Sequence, residues 1–148
     1  MYKSLTVLAL YLIAIGCKPQ SSPPPLPVSK IEAEEDIREA VFREYIVPNK
    51  FPIYFLWIEN GKDPNESLVN RFKNIGPVVK KGSELNSKNA IGQSMRLTIK
   101  KITWINATEV EVIGSAWVGP ESAIGIDYVL EFSDDHWKIK ERKPSWES

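Results

Sequence analysis

The spacing of polar and apolar positions changes period along this chain, and the changes outline its elements. Between Ser29 and Ile46 the residues Ile37, Val41 and Tyr45 recur every four positions, with Ala40 and Phe42 widening the stripe. That spacing predicts an amphipathic helix. Ser29-Lys30-Ile31-Glu32 has the spacing of a capping box at its start, and Val47-Pro48 stops it. Ile53–Ile58 is apolar at every position, which predicts a strand covered on both faces. Asn60-Gly61 turns the chain. Asp63-Pro64-Asn65-Glu66 then predicts a second helix, with Asp63 as N-cap, Pro64 as its first residue and Leu68, Val69 and Phe72 on its buried side. Val78-Val79 suits a short strand, and Gly82–Ser94 has the composition of a loop.

From Met95 onward the period is two. Met95, Leu97 and Ile99 alternate with polar residues, but after Lys100-Lys101 the apolar set becomes Ile102 and Trp104. A slip of one residue reverses a strand's faces, so a β-bulge and bend are predicted near Lys100-Lys101. After a turn at Asn106-Ala107, one face of the next strand carries Val110, Val112, Gly114, Ala116 and Val118, and Gly119-Pro120 ends it. Ile124, Ile126, Tyr128, Leu130 and Phe132 form the next inward face. Asp134-Asp135 makes a hairpin turn, and Trp137 and Ile139 continue the apolar set. The predicted fold class is therefore α+β: an N-terminal helix packed on a curved antiparallel sheet, with a concave side able to hold a ligand.

The first 28 residues do not belong to that domain. Lys3 is followed by the apolar run Leu5–Ile15, broken only by Thr6. The basic start and short apolar core are those of a secretory signal, and the run is too short to span a bilayer. Lys18–Val28 holds five prolines in eleven residues, an extended and semi-rigid tether. The organisation read from the sequence is a signal over 1–16, a tether over 17–28, one domain over 29–143 and a tail over 144–148.

Ala14-Ile15-Gly16-Cys17 resembles the lipobox of bacterial lipoproteins, in which a small residue precedes the lipidated cysteine. Leucine is commoner than Ala14 three places before that cysteine. The resemblance implies cleavage before Cys17, a diacylglyceryl thioether on its sulfur and acylation of the new amino terminus. Two or more acyl chains give stable anchoring, at about 0.8 kcal/mol for each buried methylene. In a two-membrane bacterium, Lys18 after the cysteine favours the outer membrane. The expected localisation is thus the cell envelope, with the domain outside the cytoplasm and its partners the membrane, a small apolar ligand or an envelope protein.

Charge and residue counts narrow the chemistry. Lysine plus arginine and aspartate plus glutamate number 19 each, and removal of residues 1–16 takes only Lys3, leaving 18 basic residues. Such a balance, with basic residues dispersed, provides no field for nucleic acid. Hydrophobic residues at 43% are enough for one core. Cys17 is the only cysteine and His136 the only histidine, so an internal disulfide and a Cys/His zinc site are excluded. No phosphate loop, Ser-His-Asp spacing or calcium loop is present, and no catalytic, cofactor or metal residue is assigned.

The order of elements resembles the NTF2-like or cystatin-like superfamily, and the ending Ser133-Asp134-Asp135-His136-Trp137-Lys138-Ile139 is similar to the closing hairpin of many such proteins, while Glu34–Phe42 and Ile102-Thr103-Trp104 resemble segments of small bacterial secreted domains. The resemblance implies a helix across a curved sheet. Relatives of that kind include binding domains, isomerases and dehydratases. An isomerase would need a carboxylate in an apolar pocket beside an oxyanion donor. Asp127 and Tyr128 have the right chemistry, but neighbours on a strand face opposite sides. Glu109 and Glu111 share a face with Ser115 and Trp117 and read as surface charge, as does His136. The acidic run Glu32, Glu34, Glu35 and Asp36 reads as a solvated helix start that complements the dipole. Trp57, Trp104 and Trp137 fall on apolar faces as core residues, while Trp117 and Trp146 are harder to place. Tyr128, Trp104 and Trp117 are the candidate pocket or interaction residues, and Cys17 the lipidation site. The expectation is a non-enzymatic binding domain, with an NTF2-like enzyme as the alternative.

Overall fold

The computed structural model describes residues 29–48, 51–86, 93–119 and 122–147, without the side chains of 126 and 144–147. The expected signal, Cys17 and the proline tether lie outside the described residues, as do the side chains of Ile126 and Trp146.

The first helix, α1 (Lys30–Ile46), starts as its sequence dictates. The Glu32 amide donates to the Ser29 hydroxyl at 3.3 Å, and the Ser29 amide donates to the Glu32 carboxylate at 3.1 Å. Its buried side is Ala33, Ile37, Val41, Phe42 and Ile46. The acidic first turns are not simply solvated. Arg38 is bound to Glu34 and Glu59, and Arg71 reaches Glu35, Asp36 and Glu39. The second helix, α2 (Glu66–Asn70), brings Arg71 to that face, which pairwise reading along α1 had no way to supply.

Asn65, not Asp63, caps α2. Its side chain accepts from the Leu68 amide at 2.8 Å. Asp63 instead accepts from the Ser83 amide at 2.9 Å and hydroxyl at 2.5 Å, which holds its carboxyl below the usual range. Both residue types cap helices equally well, so local chemistry did not choose between them.

The strands are β1 (Ile53–Trp57), β2 (Val78–Lys81), β3 (Ser94–Asn106), β4 (Glu109–Gly119), β5 (Ser122–Ser133) and β6 (His136–Glu147). They form one sheet in the order β2-β1-β3-β4-β5-β6. The expected antiparallel meander is present from β3 to β6, but β1 pairs in parallel with both β2 and β3. The sheet is therefore mixed, and it is uncurled. The parallel pairing accounts for the apolar character of β1: Tyr54 and Leu56 face α1, while Phe55 faces the other way and is equally buried. β6 continues through Glu147, past the expected domain end at Lys143.

The predicted bulge is found between Ile99 and Lys101, and beyond it Ile102 and Trp104 return to the helix side. Asp134 and Asp135 both adopt positive φ, 52° and 63°, as a two-residue type I′ hairpin requires. The inward face of β5 holds for Tyr128, Leu130 and Phe132 but fails at Ile124, which is 42% exposed. The reason is the reach of α1. Its start lies by Trp104 and its end by Tyr128, where Tyr45 meets that ring edge-on at 6.3 Å. Ile124 is four residues back along β5, roughly 13 Å beyond that contact.

Candidate functional site

The three residues singled out from the sequence are not brought together. Tyr128 is fully buried between α1 and the sheet, and burial pushes its hydroxyl's pKa up. Trp104 lies on the same side but at the opposite end of α1. It stands edge-on to Trp137 at 5.6 Å, and its indole N–H donates to Glu34 at 3.5 Å. Trp137 in turn packs on Phe132. Trp137 is a core residue, as expected, and Trp104 is a partly buried one packed against that core. Trp117 faces the other side of the sheet.

Among the described residues, the interior between α1 and the sheet at Tyr128 has no room for a ligand. The cavity walled by Val41, Phe42, Tyr45, Leu97, Ile99 and Tyr128 has a volume of about 10 Å³, and no carboxylate lines it. One water needs about that much. Asp127 cannot serve this interior, because strand alternation puts it on the face away from Tyr128.

The outer face is different. Register places Arg96 opposite Trp117 across β3 and β4, and Phe55 opposite Arg96 across β1 and β3. One step along, Trp57, Thr98, Ser115 and Gly125 form the next row across four strands. Large side chains thus stand at two corners, with hydroxyls and a glycine between them. The result is an open groove of about 390 Å³ lined by Trp57, Gly61, Arg96, Thr98, Ser115 and Trp117. Trp57, expected in the core, is instead a half-buried wall of this groove.

Two features fix the walls. Gly82 lies directly beneath the Trp57 indole, so close that a Cβ there would fall 2.0 Å from the ring. Only glycine permits that approach. On the other side the Arg96 guanidinium stacks on Trp117, with its central carbon 3.7 Å from the ring centroid. Nε of Arg96 is buried and without a hydrogen-bond partner, and burial lowers the pKa of the group. Among the described residues no carboxylate pairs with Arg96, although the chain is rich in ion pairs elsewhere.

That contrast separates this groove from a larger one of about 600 Å³ between α1 and β6, lined in part by Arg43, Glu44 and Lys138. There the charges are already satisfied: Arg43 by Glu39, Glu44 by Arg142 and Lys138 by Asp134. His136 is exposed, with Nδ1 2.7 Å from the Asp134 carbonyl, and Glu109 is bound to Lys140 at 2.8 Å, so both behave as surface groups. Sequence reasoning found Trp117 but missed Arg96, which reads there as one more polar residue on an alternating strand. Comparison with family models, with curated proteins and with solved structures found no match to this chain.

Proposed function

We propose that this chain is a lipid-anchored envelope protein, acylated at Cys17 and held off the bilayer by its proline tether. Its α+β domain is a non-enzymatic binding module that uses the outer face of the sheet. The observation that carries the binding reading is Arg96: a partly buried cation, stacked on Trp117 in an open groove, without a carboxylate among the described residues. Removing a charge from water costs free energy unless a counter-charge compensates it, so such a group suits an incoming ligand.

The NTF2-like or cystatin-like fold reading rests on the helix-then-meander order, and the parallel pairs of β1 depart from it. The enzyme alternative gains nothing from the interior, since a catalytic carboxylate and substrate need more than the space of one water.

Two measurements test this reading. Cells given an alkyne fatty acid should label the wild-type chain and leave Cys17→Ala unlabelled; equal labelling would remove the anchor from the account. Native mass spectrometry of the chain extracted from its membrane should show an added mass that Trp117→Ala loses. Retention of that mass in the variant would move the binding site elsewhere.

A further inference from the structure

We infer that the groove between Trp57 and Trp117 receives the carboxylate of a ring-bearing acid, with Arg96 as its anion partner. The inference rests on the binding-module reading and gives that site a ligand chemistry.

The geometry of Arg96 carries the argument. Stacking on Trp117 occupies one face of the guanidinium plane, and Nε has no hydrogen-bond partner among the described residues. A planar fork of N–H groups matches a carboxylate with two parallel bonds, which an ammonium does not. Stacking also holds the fork in place, so less freedom is lost when a ligand binds. Because the group is partly desolvated, its attraction for an anion exceeds that of a lysine in open water.

The walls identify what the carboxylate is attached to. Trp57 and Trp117 are aromatic walls of the groove, and among the described residues the rest of its lining is Arg96, Gly61 and the short side chains of Thr98 and Ser115. A flat or chair-shaped ring lies against such planes, and the two hydroxyls accept from or donate to its substituents. Two sources share this chemistry: a sugar acid, whose ring hydroxyls meet Thr98 and Ser115, and an aromatic acid, whose ring meets the indoles alone. The modest volume of the groove favours one or two rings over a long chain.

Calorimetric titration of the full chain in detergent micelles tests this directly. The probes are galacturonate and its dimer, 4-hydroxybenzoate, and the methyl ester of each. At least one acid should bind tenfold or more tightly than its own ester. Arg96→Gln should remove that preference, whereas Arg96→Lys should keep part of it, with both variants melting within a few degrees of wild type. Preference for galacturonate over 4-hydroxybenzoate assigns the sugar source, and the reverse order the aromatic one. Equal binding of acid and ester by the wild type overturns the inference without needing any variant, and so does an acid preference that survives Arg96→Gln. An uncharged ligand lost with Trp117→Ala overturns it too, yet leaves the binding-module reading standing. Failure of both acids together with no mass lost from Trp117→Ala defeats both.

Discussion

Tyr128→Ala is expected to destabilise the domain by about 3–5 kcal/mol, the range for removing a large aromatic ring from a core. Tyr128 has no exposed surface and faces Val112 across β4 and Arg142 across β6. Its ring meets Tyr45 near the end of α1, so its loss opens a cavity where the helix seats on the sheet. The space already present there is about 10 Å³, so the ring is closely packed by its neighbours. Urea denaturation should lower the midpoint with little change in slope. A shift within about 0.5 kcal/mol, the size of a surface substitution, would mean that β5 turns its other face inward.

Gly82→Ala carries the second large effect, and its sign is informative. Gly82 does not have positive φ, so its backbone alone would allow alanine, and reduced freedom of the unfolded chain would then add about 0.4–1 kcal/mol of stability. The overlap reverses this. A Cβ would lie 2.0, 2.2 and 2.3 Å from three atoms of the Trp57 indole, a rigid ring that cannot yield by rotating a flexible end. Overpacking of this kind costs about 1–3 kcal/mol, so a net loss is expected. Because Trp57 is a wall of the groove, the near-ultraviolet circular dichroism of the tryptophans should change as well. A variant more stable than wild type with an unchanged spectrum would separate Gly82 from Trp57.

What was legible in the sequence was whatever a residue's near neighbours determine. The capping box of α1, the hairpin turn at Asp134-Asp135 and the bulge at Lys100 each follow from a short string of neighbouring residues. The double burial of β1 was legible too, but the parallel direction behind it was not. Ile53–Trp57 reads the same under a helix, within an antiparallel sheet or between two parallel strands. The contacts that decide the direction come from β2 and β3, far along the chain.

The candidate site was only half legible for a related reason. Trp117 draws notice as a tryptophan on a strand face shared with Glu109, Glu111 and Ser115. Arg96 becomes its partner only once the register of β3 against β4 is known. The turn expected at Asn106-Ala107, which the structure places at Ala107-Thr108, and the bulge at Lys100 do not suffice, because a second irregularity lies between Trp104 and Asn106. Without it the count is off by one, and every side chain changes face. The same uncertainty made Trp57 look like a core residue. Alternation alone does not say which side of a doubly covered strand holds the helix.

The central claim is that binding belongs to the outer face of the sheet and not to the helix-covered interior. Fluorine spectra of the full chain labelled with 5-fluorotryptophan, assigned by single Trp→Phe substitutions, address it most directly. On addition of galacturonate or 4-hydroxybenzoate, the signals of Trp57 and Trp117 should move together while those of Trp104 and Trp137 stay in place. Movement of Trp104 and Trp137 with Trp57 and Trp117 unchanged would contradict the account.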